Sequence, residues 1–208
     1  MTIPRIVLAT RNAHKVEEFA RILAAAGLVV ELVAVSQFPD IPDVEETGAT
    51  FAENALLKAT TIANATGLPA VADDSGLSVD ALNGMPGVLS ARWSGRHGDD
   101  TANLTLVLGQ LRDVPAERRG ARFVCAAAFA LPAGAAGEQT SRVVEGEVFG
   151  SLTFEPRGSN GFGYDPIFIP TGATQTTAEL SPAQKDAISH RGQALRALVP
   201  IIRELVLQ

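Results

Sequence analysis

The sequence predicts an α/β protein with a mixed sheet, folded as one domain over residues 1–208, with two lobes and a central cleft. Three observations predict it. In the first half, short continuous apolar runs alternate with segments of helical period. Polar residues gather where those runs stop, the place where open α/β sheets put their chemistry. The second half turns β-rich, and neither a repeat nor a linker divides the chain.

Each element has its own signal. Ile6-Val7-Leu8-Ala9 reads as a strand buried on both faces. A helix starts at Ala13 with Val16, Phe19, Ile22 and Leu23 inward, and Gly27 stops it. Residues 28–35 read as a second strand and residues 36–48, with two prolines and four acids, as a loop. Thr50 and Glu53 form a T-x-x-E capping box that opens a second helix, which Gly67 and Pro69 close; Glu53 is read as structural. Ala70-Val71-Ala72 is a third strand that stops at Asp73-Asp74-Ser75-Gly76, and residues 77–82 are a separate one. Asp99 or Asp100 caps a helix carrying Leu104, Val107, Leu108 and Leu111. Residues 122–131 and 141–149 form a hairpin pair, residues 157–166 a Gly-rich loop. Ser181, Pro182 and Gln184 open a terminal helical region, interrupted near Ser189 or bent near Pro200.

Composition narrows the function. With 46% hydrophobic and 19% charged residues, the chain has apolar material for a core and is not disordered. Its 17 Lys+Arg against 23 Asp+Glu leave a net charge of -6, which repels a phosphate backbone and disfavours nucleic-acid coating. No apolar run reaches the roughly 18 to 20 residues of a membrane span, and Met1-Thr2-Ile3-Pro4-Arg5 opens no secretory leader. The expectation is a cytoplasmic protein without membrane or nucleic-acid partners. Cys125 has no second cysteine to pair with and sits mid-strand among Val124, Ala126 and Ala127, so it is read as packing and any metal as bound through oxygen or histidine.

Lysine is used three times, at Lys15, Lys58 and Lys185, against fourteen arginines. Each lies inside a motif, which suits a compact ammonium placed for a phosphate, although a solvated surface position reads almost as well. Thr10-Arg11-Asn12-Ala13-His14-Lys15 joins a buried strand to a helix, so it is either an anion site of free N–H groups or a plain capping turn. No G-x-x-x-x-G-K-[ST] occurs, which excludes a P-loop enzyme. Asp73-Asp74 can hold Mg²⁺ or orient a water, and with Glu45-Glu46 makes four acids that would repel one another without a cation. The adjacent pair Asp99-Asp100 is read as only a helix cap. In the Gly-rich loop Phe162 or Tyr164 can stack on a planar base, and Lys185 with Ser189-His190-Arg191 supplies donors for an oxo-substituted ring.

Seven ordered segments carry a resemblance: Thr10-x-Asn12-x-x-Lys15, Glu46-Thr47-Gly48, Phe51-x-x-Asn54-Ala55-x-x-Lys58-Ala59, Ala72-Asp73-Asp74-Ser75-Gly76-Leu77, Ser90-Ala91-Arg92, Gly161-Phe162-Gly163-Tyr164-Asp165-Pro166 and Ser189-His190-Arg191. Together they closely resemble the inosine/xanthosine triphosphate pyrophosphatases, the Ham1-like house-cleaning enzymes, over residues 5–199. The resemblance implies a long mixed β-sheet flanked by helices, a homodimer, and Mg²⁺-dependent hydrolysis of ITP, dITP and XTP to monophosphate and pyrophosphate. It implies that Thr10, Arg11, Asn12, Ala13, His14, Lys15 and Lys58 hold the triphosphate. Asp74 is then the proton acceptor and a metal ligand, with Asp73 assisting and Glu46, or its neighbour Glu45, at the metal. Ser75 touches substrate, Phe162, Gly163, Tyr164 and Asp165 line the base pocket, and Lys185, His190 and Arg191 bind the purine. A Maf-type pyrophosphatase is the alternative enzyme, and a nucleotide-binding regulator without catalysis the alternative class. The Ser-His-Arg segment and the retained carboxylates argue against them.

Overall fold

A computed structural model describes residues 3–206; Met1 and Thr2, part of the segment in which no secretory leader was expected, lie outside the described residues, as do Leu207 and Gln208. The elements follow the order β1 (Arg5–Leu8), α1 (Ala13–Ala25), β2 (Glu31–Ala34), α2 (Phe51–Thr66), β3 (Ala70–Val79), α3 (Asp100–Gln110), β4 (Gly120–Ala130), β5 (Ser141–Leu152), β6 (Phe168–Pro170), α4 (Pro182–Ile188) and α5 (His190–Val206). Among the described residues, six strands make one sheet in the order β2-β1-β3-β4-β5-β6. It is mixed: β1 runs parallel to β2 and β3, whereas β5 and β6 are antiparallel. The expected α/β class with a mixed sheet therefore holds.

The chain separates into two compact units. One holds the described residues of Met1–Asp74, Cys125–Gly146 and Arg191–Gln208, the other Ser75–Val124 and Glu147–His190. In the first unit, strand alternation sorts the core. Ile6, Leu8, Val71 and Cys125 pack with Phe19 and Leu23 of α1 and with Leu195 and Leu198 of α5. Their neighbours Val7, Ala70, Ala72 and Ala126 pack with Ala55, Ala59 and Ile62 of α2. Successive strand residues point to opposite faces, so each buried strand serves two separate cores.

In the second unit Leu77, Val79, Leu104, Val107, Phe123, Tyr164 and Phe168 form one core. Arg119, 1% exposed, crosses it and donates to the carbonyls of Leu111 (2.8 Å), Leu152 (3.0 Å) and Thr153 (2.8 Å), with the Phe154 ring 4.3 Å from its guanidinium. Its charge sits just past α3, where the last carbonyls of that helix favour a cation.

Local chemistry accounts for the helix ends. Asn12 caps α1 by accepting from the Lys15 N–H, Asp99 caps α3 through Ala102, and Ser181 and Gln184 form a full capping box at α4. At α2 the Thr50 hydroxyl accepts from Glu53 N–H as expected, but the Glu53 carboxylate accepts from Ala49 rather than Thr50, so the box closes one residue early. Thr50→Ala is expected to lower stability by about 1 kcal/mol, read by urea denaturation.

One expectation about segmentation is corrected. The chain does not stop at Asp73-Asp74-Ser75-Gly76; β3 runs unbroken from Ala70 to Val79, so the carboxylates are inside a strand and not at its end. The sequence suggested a break because Asp, Ser and Gly are poor strand formers, and tertiary partners override that preference. The interruption expected near Ser189 is present, and Lys185 and Arg191 lie on separate helices. Ser189 is extended at φ -66° and ψ 151°, ending α4 before α5 begins.

Candidate active site

β3 places Asp73 and Asp74 one residue apart, so their side chains leave opposite faces of the strand. Asp73 joins the α1/α5 side. Its carboxylate receives Lys15 Nζ at 3.0 Å and Arg191 Nε at 3.1 Å, and the Arg191 guanidinium also pairs with Glu18 of α1. All of Glu18, Asp73 and Arg191 are buried, at 3%, 2% and 1% exposure. Burial works against ionising Asp73, yet Lys15 and Arg191 outweigh it and hold the carboxyl well below the usual carboxylate range. Asp73 therefore stays an anion and is a poor proton acceptor. Cys125 Sγ lies 3.9 Å from the same carboxylate, and burial together with that negative charge pushes its thiol pKa far up. It is protonated and inert, as the packing reading requires.

Asp74 joins the α2 side. Asn54 of α2 donates Nδ2 to Asp74 Oδ2 at 2.9 Å and accepts from Gly48 N–H at 2.7 Å, tying the strand to the acidic loop. Lys58, one turn further along α2, lies 2.8 Å from Glu46 and 3.9 Å from Asp74. Burial raises the Asp74 pKa; Lys58 opposes this, Glu46 adds to it, and the net shift is upward. Burial lowers the Lys58 pKa, but Asp74, Asp73 and Glu46 more than compensate and keep it an ammonium. Of two adjacent carboxylates, one is thus locked as an anion and the other tuned to take up a proton.

Burial along residues 44–48 alternates half-buried and exposed, with Glu46 turned in and Glu45 out. Among the described residues no three His, Cys, Asp or Glu side chains gather to cage a metal. Asp74 and Glu46 do converge on the single Lys58 ammonium. One or two carboxylates, completed by water and phosphate oxygens, is the ligand set that suits Mg²⁺, so these residues fit that ion.

The turn before α1 is exposed from Arg11 to His14, with Thr10 half-buried and its hydroxyl accepting from Asn12 N–H at 3.2 Å. Arg11 reaches the acidic loop, donating Nε to Asp43 at 2.5 Å and a terminal nitrogen to the Ile41 carbonyl at 2.7 Å.

The second unit holds the other group of expected residues. Asp165 accepts from Phe162 N–H (2.8 Å), from the Thr177 hydroxyl (2.8 Å) and from Lys185 Nζ (2.7 Å). Lys185 also lies 4.9 Å from the centroid of the Phe162 ring. Gly161 must be glycine: its φ is +74°, and a Cβ there would collide with the Asp165 carboxylate. Tyr164 is 4% exposed and donates its hydroxyl to the Ser90 carbonyl at 2.9 Å, so it is core, whereas Phe162 is half-buried. His190 is buried and stacked on Phe123 with ring centroids 4.7 Å apart. Ser75, half-buried, follows Asp74 in β3.

Lys15 and Arg191 meet at Asp73, and Lys58, Glu46 and Asp74 meet beside Asn54, whereas Phe162, Asp165 and Lys185 form their own cluster in the second unit. Arg191 pairs with Asp73 and Glu18 in the first unit. Two residues were missed. Asn54 stands inside the Phe51-x-x-Asn54-Ala55-x-x-Lys58-Ala59 segment, and Glu18 sits three residues after Lys15, the spacing that shares a helix face.

Fold and site together define a mixed-sheet α/β protein whose adjacent strand carboxylates are matched by lysines and whose buried cysteine is protonated. Residues 6–201 match the model of the Ham1 family, and the chain belongs to that family. It is 63% identical over 202 residues to a dITP/XTP pyrophosphatase of Streptomyces avermitilis, covering 97% of this chain and 98% of that protein. A solved structure titled nucleoside-triphosphatase / dITP/XTP pyrophosphatase from Mycobacterium abscessus aligns at a TM-score of 0.73 and 57% identity, covering 94% of this chain and 99% of that one. A HAM1 protein from Coxiella burnetii aligns at 0.84 and 42% identity, over 97% and 100%.

Proposed function

We propose that this chain is a Mg²⁺-dependent pyrophosphohydrolase that converts dITP, ITP and XTP to the monophosphate and pyrophosphate, removing deaminated purines from the nucleotide pool. The observation that carries the reading is Asp74: a buried carboxylate with a raised pKa, fixed by Asn54 and flanked by Lys58 and Glu46. Water cleaves the α–β phosphoanhydride, and Asp74 accepts one of its protons. Lys15, Lys58 and the N–H groups at the start of α1 take the triphosphate charge. Asp74 and Glu46 would hold Mg²⁺, which when bound neutralises phosphate oxygens and the charge that develops on the leaving pyrophosphate. Asp73 keeps Lys15 in place and does not itself react.

Phe162 stacks on the purine, and Lys185, oriented by Asp165, donates to a ring oxygen. His190 and Arg191 stay with the purine on the resemblance alone. The contacts of Arg191 support a second task, holding Asp73 and Glu18. The same reading has the enzyme act as a cytoplasmic homodimer. Phe149 and Phe154, both 57% exposed, are apolar side chains that such an interface would cover. Among the described residues no helix is long and apolar enough to cross a membrane.

A pyrophosphate-release screen over standard and deaminated triphosphates tests the function. A C6 oxygen accepts from an ammonium that a C6 amino group would oppose, and mismatched buried polar groups cost about 1 to 3 kcal/mol each. The expected result is that ITP, dITP and XTP exceed ATP by at least about 10²-fold in kcat/KM. Comparable hydrolysis of ATP and ITP would instead indicate a broad nucleotide pyrophosphatase.

A further inference from the structure

Asp100 was read from sequence as one half of a helix cap. Asp99 alone does the capping, its Oδ1 accepting from Ala102 N–H at 3.1 Å. The carboxylate of Asp100 is turned to a different partner sixty-three residues away, accepting from Gly163 N–H at 2.9 Å. Gly163 follows Phe162, whose own N–H is held by Asp165 at 2.8 Å.

The peptide planes on either side of Phe162 are thus pinned by two different carboxylates. Because peptide units are planar, anchoring both N–H groups sets φ and ψ of the residue between them, and with them the direction of its Cα–Cβ bond. Two further contacts brace the loop. Asp165 N–H donates to the Phe162 carbonyl at 3.2 Å, and the Tyr164 hydroxyl donates to Ser90. Gly163 has φ +61° and open space where a Cβ would sit, so it accepts this conformation without a steric reason of its own. The Asp100 bond is the one of these contacts that comes from α3.

We propose that Asp100 is a specificity-determining positioning residue: by holding the Gly163 amide from the first turn of α3, it aims the Phe162 ring at the purine. The inference rests on the reading of Phe162 as the base-stacking residue. Asp100 touches no substrate. It acts by keeping the loop in one conformation before the base arrives, which lowers the cost of ordering the loop on binding. A charged acceptor on a backbone N–H is stronger than a neutral one, and an asparagine retains an acceptor oxygen at the same place.

The test compares Asp100→Ala, Asp100→Asn and Phe162→Ala by kinetics with dITP and dATP and by amide hydrogen exchange of the Gly161–Asp165 loop. For Asp100→Ala the dITP-over-dATP preference in kcat/KM is expected to fall about tenfold, carried by KM, and the Gly163 amide to exchange at least about tenfold faster. Asp100→Asn should keep both within about threefold of the parent protein. If Phe162→Ala abolishes the base preference and Asp100→Ala leaves both it and the Gly163 exchange unchanged, the role of Asp100 is refuted while the base reading stands. Should Phe162→Ala leave both the preference and the KM for dITP unchanged, the stacking reading falls, and the inference with it. Equal losses in Asp100→Ala and Asp100→Asn would also overturn it, since only the first removes the acceptor.

Discussion

Asp74→Asn is expected to reduce kcat for dITP by about 10² to 10⁴ while leaving the circular dichroism spectrum unchanged. The amide is nearly isosteric, and its oxygen still accepts the Asn54 hydrogen bond that holds this position to α2. Lys58 keeps Glu46 as its closer carboxylate, so no buried ammonium is stranded. Removing a carboxylate whose ionised form burial and Glu46 both disfavour costs the fold little. What is lost is a group able to take a proton, together with one of the two charges suited to Mg²⁺. A variant retaining more than half the parent kcat would remove Asp74 from the mechanism.

Arg191→Met is expected to destabilise the protein by about 3 to 5 kcal/mol, the usual result of removing one member of a buried charge cluster. Glu18 and Asp73 would remain buried, with Lys15 still paired to Asp73. Adding Asp73→Asn to Arg191→Met should recover part of the loss, because the stranded carboxylate disappears with it. The sign of the pH dependence follows from Asp73. Its pKa is held below that of the unfolded chain, so its ionised form contributes stability above the unfolded carboxylate range near about 4. That contribution is lost as pH falls through the folded value. Urea midpoints of the parent and of Asp73→Asn should therefore differ most at neutral pH and converge below about pH 4. A gap of constant size across that range would show that Asp73 does not stabilise as an anion.

Local signals read well from the chain because they rest on neighbours a few residues apart. Asn12, Asp99 and Ser181 cap helices wherever they stand before an apolar stripe, and Gly27 and Gly67 end them at positive φ. The continuous apolar run of residues 6–9 was equally legible as a strand buried on both faces, though not which helix covers which face. The candidate residues Lys15, Lys58, Asp73, Asp74 and Lys185 were found because rare lysines and paired acids stood inside motifs.

Their roles were decided elsewhere. By itself the sequence determined the α/β class, the helix ends and the family, all of which depend on short-range chemistry or on ordered motifs. Only tertiary structure decided that β3 continues through Asp73 and Asp74, since the helices and ion pairs that make buried acids tolerable in a strand come from distant segments. Strand alternation then sends one acid to Lys15 and Arg191, where it stays charged, and the other to Asn54, Lys58 and Glu46, where its affinity for a proton rises. Two identical side chains, adjacent in the chain, differ in chemistry because a carboxylate's pKa depends on burial and on the charges around it. The bond from Asp100 to Gly163 is of the same kind: sixty-three residues separate donor from acceptor, and nothing local announces it.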